Sequence, residues 1–364
     1  MKMRQMTSLE YMRIVSELGP LCGQRLDKFV DYGGKSFRLR IGKADIAIDA
    51  PLRINLTKYI RDSPQTPTDL AFSVRKRIAN ARLESVFQHE ADRVVAFLFS
   101  KDGEEFTLVF EMFSTGNCVL LDKDSVCMAA AEYNEWKDRE IRLKKPYKFP
   151  APQVPREGMF GVEAVISGKY VSACLSRLPI GTIYTNEALC RLGIGQKAKG
   201  TDLTPGQAAE IGKELRGMAE SQKPVLYTGP DGKPEEFALT ELSGMEGLAK
   251  KEMPSLSECA DEYYNANPAA VPKEDSGQGK EMARLAEMEA RQQEHMAALE
   301  AQAKSSGDAG KAILANLALV EAAIEYAKKG HVADREMTGK AMALEKAGKL
   351  RIDRKTGRLE MELD

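Results

Sequence analysis

Val94–Asp122 reads VVAFLFSKDGEEFTLVFEMFSTGNCVLLD, and the fold follows from how this stretch divides. Three strand-like runs, Val94–Phe99, Phe106–Phe113 and Val119–Leu121, are separated by Asp102-Gly103 and Gly116-Asn117. Short aromatic and β-branched runs punctuated in this way predict an antiparallel meander closed by hairpin turns. Upstream, Phe37, Leu39 and Ile41 alternate with Arg38 and Arg40, which predicts a strand with one apolar and one exposed basic face. Gly33-Gly34 makes the turn before it, and Asp45–Asp49 is its hairpin partner. A loop, Ser63-Pro64-Gln65-Thr66-Pro67-Thr68, leads into a helix over about 68–82 with Leu70, Val74, Ile78 and Ala81 as its buried stripe. Arg75 and Arg82, two turns apart, fall on a neighbouring face of that helix with Lys76 and Arg77 beside them. Residues 7–19 predict an opening helix capped by Thr7 or Ser8. Residues 1–150 therefore read as an α+β domain built on antiparallel sheet.

Prolines 146, 150, 152 and 155 mark a boundary. Residues 151–223 read as a small helical module interrupted by Gly181, Gly193, Gly195 and Gly200, with Thr204-Pro205 starting a helix. Strand pattern returns over 224–268, through Val225, Tyr227, a Gly229–Gly232 turn, Phe237 and Leu239, so the helical module is inserted into a sheet domain. From 272 the composition turns to Ala, Glu, Met, Gln and Lys. Helices over 280–304 and 309–329, parted by Ser305-Ser306-Gly307-Asp308, predict an antiparallel helical hairpin within an arm over 272–345. Residues 346–364 read as a terminal β-hairpin around Thr356-Gly357.

The 364 residues carry a formal net charge of −1, with 25 Lys/Arg against 21 Asp/Glu in residues 1–150. A nucleic-acid footprint is therefore expected as a local patch and not as a global field. Six cysteines show no C-x-x-C and no histidine at ligand spacing, so neither a zinc site nor a disulfide framework is expected, nor any cofactor. Glu10, Glu17 and Asp27 interrupt the N-terminal apolar positions, which excludes a signal peptide, and no apolar run is long enough to span a bilayer. The expected location is the cytoplasm.

Thr7–Leu18 (TSLEYMRIVSEL), Gly23–Lys28 (GQRLDK), Val74–Arg93 (VRKRIANARLESVFQHEADR), Leu108–Asp122, Leu178–Ile194, Pro224–Leu242 and Ile313–Gly330 follow one another in an order that resembles the NFACT family. These are the RqcH- and NEMF-type ribosome quality-control factors, formerly called fibronectin-binding protein A. The resemblance implies an N-terminal domain like that of formamidopyrimidine-type DNA glycosylases, a helix-hairpin-helix insert and a coiled-coil arm. It implies binding to a large ribosomal subunit obstructed by peptidyl-transfer RNA, and recruitment of transfer RNA, with alanyl-transfer RNA the family's candidate, for untemplated tailing of the nascent chain. The chemistry would be ribosomal, so the chain is not expected to be an enzyme. The family carries an aspartate where this chain has Glu10. Its members also continue past the position of Asp364 into a second RNA-binding domain; a separate polypeptide supplying that part, trimming of the chain and loss of the domain are the alternatives.

By that resemblance Asp92, Arg93 and Glu10 are the transfer-RNA-binding candidates. A guanidinium can stack on an unpaired base or bond bidentately to guanine, and a carboxylate can accept from an exocyclic amine. By itself an adjacent Asp-Arg at a strand end is an ordinary solvated pair. Arg75, Lys76, Arg77, Arg82, Arg38 and Arg40 are backbone-contact candidates, although a charged helix face is more often plain solvent-facing surface. Leu178-Pro179-Ile180-Gly181 has the form of a helix-hairpin-helix turn, in which Gly181 would let a phosphate approach; a turn without a ligand fits equally well. His89, His295 and His331 are scattered and form no nucleophile–base set. A docking adaptor without tailing activity is the main alternative. A glycosylase-like repair protein lacks its N-terminal proline nucleophile here, since residue 2 is Lys, and a surface adhesin lacks a leader.

Overall fold

The opening helix α1 (Ser8–Leu18) starts on a capping box: the Thr7 hydroxyl accepts from the Glu10 amide while the Glu10 carboxylate accepts from the Thr7 amide. Four antiparallel strands follow in sequence order, β1 (Leu26–Asp31), β2 (Ser36–Ile41), β3 (Ala44–Asp49) and β4 (Arg53–Thr57). α2 (Asp69–Ile78) leads into a second antiparallel sheet, also in sequence order: β5 (Arg82–Gln88), β6 (Val94–Lys101), β7 (Glu104–Glu111), β8 (Asn117–Asp122) and β9 (Cys127–Ala130). The computed structural model describes residues 3–136, 138–152, 154–267, 277–330, 332–353, 356 and 358–362. The boundary expected near 272, His331 and Gly357 lie outside the described residues.

The meander runs as the alternation requires. Asp102 and Gly103 both take positive φ, 52° and 85°, the geometry of a two-residue hairpin turn whose twist matches its strands. Inward-facing aromatics lock the two sheets together: the Phe110 ring lies 5.8 Å from Phe37 of the first sheet and 5.7 Å from Phe97 of its own. Leu9, Ile14 and Leu18 of α1 and Leu70, Val74 and Ile78 of α2 join the same core. A smaller cluster, including Val94, Val109, Val119 and Tyr147, forms apart from it.

After the two-residue strands β10 (Asn134–Glu135) and β11 (Glu140–Ile141) come the short helix α3 (Val171–Leu175), then α4 (Thr182–Arg191) and α5 (Pro205–Glu220). β12 (Val225–Thr228), β13 (Pro234–Ala238) and β14 (Ala249–Glu252) make a separate three-stranded sheet with β12 in the middle. α6 (Leu256–Ala266) packs on β4, β13 and α1. Residues of α3 to α6 belong to the same hydrophobic core as the two sheets.

Met1–Ser276 and Gly277–Asp364 are two compact units. In the second, α7 (Gly277–Ala315) is one unbroken helix, so the expected break at Ser305–Asp308 does not occur. Gly307 costs only about 1 kcal/mol in an exposed helix interior, which the strong helix formers on either side outweigh. The interruption comes at Asn316, before α8 (Leu317–Lys329). α8 packs instead on α9 (Arg335–Lys346) and on the hairpin of β15 (Leu350–Asp353) and β16 (Arg358–Met361), through Ala323, Tyr326, Ala341 and Leu350.

Two further expectations are corrected. The helix over 68–82 ends at Ile78, because Ala79 turns extended (ψ 131°) and Asn80 takes φ 63°; Arg82 therefore opens β5 and shares no helix face with Arg75. Arg38 is not on an exposed face: it is buried, and its guanidinium is 3.1 Å from the buried Asp45 carboxylate, which Arg40 also contacts at 3.1 Å.

Because Phe110 is the ring shared by both sheets, Phe110→Ala is expected to lower unfolding free energy by about 3–5 kcal/mol in a urea titration. A loss below about 1 kcal/mol would mean that the sheets do not depend on this contact.

Candidate functional site

A cleft of about 630 Å³ opens where three turns meet: the segment Arg4–Ser8 entering α1, the Ala91–Arg93 turn between β5 and β6, and Leu178–Ile183 entering α4. Phe113, Pro150 and Val154 complete part of its wall. Asp92, Arg93 and Gly181, distant in sequence, thus line one space.

The Asp92-Arg93 turn is stitched to α1. The buried Gln88 side chain donates to the Ser8 carbonyl at 2.9 Å and to the Asp92 carbonyl at 2.7 Å, and the Ser8 hydroxyl donates to the Ala91 carbonyl at 2.5 Å. Asp92 and Arg93 do not neutralise each other through their side chains. Asp92 Oδ1 accepts from the Arg93 backbone amide at 2.7 Å, whereas Arg93 Nη1 donates to Gln5 Oε1 at 2.7 Å. Among the described residues no hydrogen bond reaches Asp92 Oδ2, Arg93 Nε or Arg93 Nη2. The turn therefore offers one acceptor and a pair of donors to the cleft.

From the cleft wall inward, a charge cluster joins the half-buried Arg4 and Glu236 to the buried Glu10. Arg4 donates through both Nη atoms to Glu10, each at 2.8 Å, through Nε to Glu236 at 2.7 Å, and to the Phe237 carbonyl at 2.9 Å. Its guanidinium also sits 4.4 Å over the Phe237 ring. Burial works against the Arg4 cation, but Glu10 and Glu236 more than offset it and raise its pKa above the ordinary arginine value. Glu10 is fully buried and accepts in addition from the Tyr184 hydroxyl at 2.7 Å and the Thr7 amide at 2.6 Å. Burial, then the Glu10 charge, pushes the Tyr184 phenol well above its ordinary value, so it stays a donor. Glu10 thus organises the cleft from beneath without facing it.

Gly181 enters α4 with φ 107°, and a Cβ there would stand 2.4 Å from Thr7 Cγ2. Only glycine lets the start of α4 pass this close to the cap of α1. No side chain caps α4, so its first amides, at Thr182 and Ile183, stand at the cleft wall with the positive end of the helix dipole. With Arg93, this makes a surface suited to a polyanion that also presents hydrogen-bonding edges.

The other candidates lie elsewhere. Arg75 Nε donates to the Phe29 carbonyl at 2.9 Å, and Arg77 Nη1 donates to the Ser73 carbonyl at 3.2 Å. Lys76 is exposed, and Arg82 lies 3.7 Å from Glu84. His89 stacks on Phe149 with ring centroids 4.2 Å apart. Sequence reasoning missed Arg4, Gln5, Gln88 and Tyr184, whose partners are remote. One signal was present, since Thr7-x-x-Glu10 has capping-box spacing and marked Glu10 as structural.

The family model for the NFACT N-terminal and middle domains matches residues 8–330. The archaeal Rqc2 homolog aRqcH of Methanocaldococcus jannaschii is 28% identical over 344 residues, covering 87% of this chain and 51% of that protein. Ribosome quality control complex subunit 2 of Saccharomyces cerevisiae is 35% identical over 133 residues, 35% of this chain and 13% of its own length. Human ribosome quality control complex subunit NEMF is 25% identical over 149 residues, 40% of this chain and 14% of its own. The chain spans about half the length of the first of these relatives and much less of the others. Among solved structures, the fibrinogen binding protein from Staphylococcus aureus superposes with TM-score 0.59 at 17% identity, covering 71% of this chain and 98% of that one. The N-terminal part of the fibronectin/fibrinogen-binding protein from Streptococcus suis does so with TM-score 0.56 at 18% identity, covering 72% and 99%. At such identities the likeness shows a shared fold and nothing of what is bound.

Gly181→Ala is expected to cost about 2 kcal/mol or more, from the added clash and the positive φ. Glu10→Gln, which leaves Arg4 short of its main partner, is expected to cost about 3 kcal/mol. Chemical denaturation measures both; a neutral result for either would remove that residue from the cleft's framework.

Proposed function

This chain belongs to the family of the NFACT N-terminal and middle domains, and from that premise we propose that it works in ribosome-associated quality control. In this reading it binds, in the cytosol, a large ribosomal subunit obstructed by peptidyl-transfer RNA. There it holds transfer RNA for untemplated extension of the stalled nascent chain. It positions RNA, and the ribosome performs the chemistry. The names of its relatives, ribosome quality control complex subunits of yeast and human and an archaeal Rqc2 homolog, support the role.

The observation that carries the RNA reading is the state of Asp92 and Arg93. They sit side by side at a cleft with their side chains turned to different partners, so donors and an acceptor are left for a ligand. An unpaired base presents complementary acceptors and an exocyclic amine. The uncapped start of α4 behind Gly181 supports a phosphate contact next to that base, which is the use a helix-hairpin-helix turn would have here. Glu10 contributes by holding this geometry. Outside the cleft, the exposed Lys76 is left for less specific contacts with RNA backbone, and Arg40, half-exposed and paired with Asp45, is a weaker candidate.

The Asp92→Ala, Arg93→Ala double variant is expected to lose about 10-fold or more in transfer-RNA affinity, the scale of one bidentate contact, with its unfolding midpoint unchanged. The assay is co-sedimentation with purified large subunits, followed by sequencing of the RNA carried along. Enrichment of transfer RNA by the parent chain and its loss in the variant supports the reading. Subunit binding without transfer RNA would replace it with a docking adaptor. Equal transfer-RNA recovery by both proteins would remove the site.

A further inference from the structure

We propose that Gln5 is a positioning residue for Arg93: it selects which edge of the Arg93 guanidinium faces the cleft, and it carries the order of the Arg4–Glu10 pair to the RNA-binding surface. The proposal rests on the reading that Arg93 contacts RNA.

A guanidinium can present two forks. One is its end, Nη1 with Nη2; the other is its side, Nε with Nη2. Gln5 Oε1 takes Nη1 at 2.7 Å, so a ligand at the end fork must share that nitrogen with Gln5. Nε and Nη2, the nitrogens whose N–H bonds run parallel along the side edge, have no partner among the described residues. One amide oxygen therefore leaves Arg93 one fork, Nε with Nη2, in which both nitrogens are unengaged, suited to two coplanar acceptors. The choice of amide also matters. A neutral acceptor orients the cation without cancelling its charge, whereas a carboxylate at this position would compete with an anionic ligand.

Gln5 can do this only if its own origin is fixed, and both of its neighbours are anchored. Arg4 is held by Glu10, Glu236 and the Phe237 carbonyl, and its Nη1 also donates to the Gln5 carbonyl at 3.2 Å. On the other side the Met6 amide donates to the Leu52 carbonyl at 2.9 Å. The path from the buried carboxylate to the cleft thus runs from Glu10 through Arg4 and Gln5 to Arg93. It gives a fully buried residue a physical route to an RNA it does not touch.

A double-mutant cycle on the full chain tests this, with unfractionated deacylated transfer RNA as the probe and affinity read by filter binding. Gln5→Met keeps side-chain length but removes the acceptor. It is expected to weaken binding about 5-fold, the scale of one net hydrogen bond, with no change in unfolding midpoint. Arg93→Ala should weaken binding more, and adding Gln5→Met to Arg93→Ala should weaken it no further. If Gln5→Met binds like the parent while Arg93→Ala is weakened, the positioning role is wrong and the Arg93 reading survives. An equal loss in both backgrounds would make Gln5 an independent contact and overturn the proposal. No loss in Arg93→Ala would overturn the underlying reading and the proposal with it.

Discussion

The ion pair of the half-buried Arg4 with the buried Glu10 is the constraint on which the site depends. Two charges removed from water are tolerated only when nearly every donor and lone pair is used. Here Glu10 accepts from Arg4, Tyr184 and the Thr7 amide, while Arg4 also serves Glu236 and the Phe237 carbonyl. Those partners come from the start of α1, from α4 and from β13, and the Tyr264 hydroxyl of α6 donates to the Arg4 carbonyl at 2.7 Å. The side chains and backbone of Arg4 and Glu10 therefore tie together elements that lie up to 260 residues apart in sequence. Satisfying it requires the α1 cap, α4 and β13 to sit where they do, and the cleft is the space their turns leave above it.

This arrangement divides the work between buried and open groups. Behind the cleft wall Arg4, Glu10 and Glu236 are paired with one another. At the cleft wall Arg93 keeps two donors and Asp92 an acceptor, because the turn satisfies its own needs through backbone groups and Gln88. The close passage of Gly181 over Thr7 joins the two layers, and it brings the uncapped start of α4 to the same wall. A rigid base under unsatisfied edges is what recognition of an unpaired, flexible nucleotide demands, since the ordering cost then falls on the ligand alone.

Membership of the NFACT family and the shared fold rest on different observations. The family model spans most of the chain, whereas the solved structures share the architecture at identities too low to speak of a ligand. The second unit has its own small core around Ala323, Tyr326, Ala341 and Leu350. The continuity of α7 through Ser305–Asp308 shows that a cluster of helix-weak residues does not stop a helix when both flanks favour it.

Local sequence determined the elements whose cause is local. The alternation of Phe37 to Ile41, the Asp102-Gly103 turn and the Thr7–Glu10 cap each act within a few residues, so α1, the meander and the terminal hairpin were legible from the residues alone. Asp92 and Arg93 were candidates only through the family resemblance, since an adjacent Asp-Arg is by itself an ordinary pair, and Gly181 was a candidate through the form of its turn. Tertiary structure decided what depends on contacts between distant segments. That Arg38 turns inward to Asp45, that Arg82 leaves the helix for a strand, and that Arg4, Gln5, Gln88 and Tyr184 build the cleft could not be read from periodicity. A polar residue's environment is set by which remote group can satisfy it, and a linear pattern carries no record of that partner.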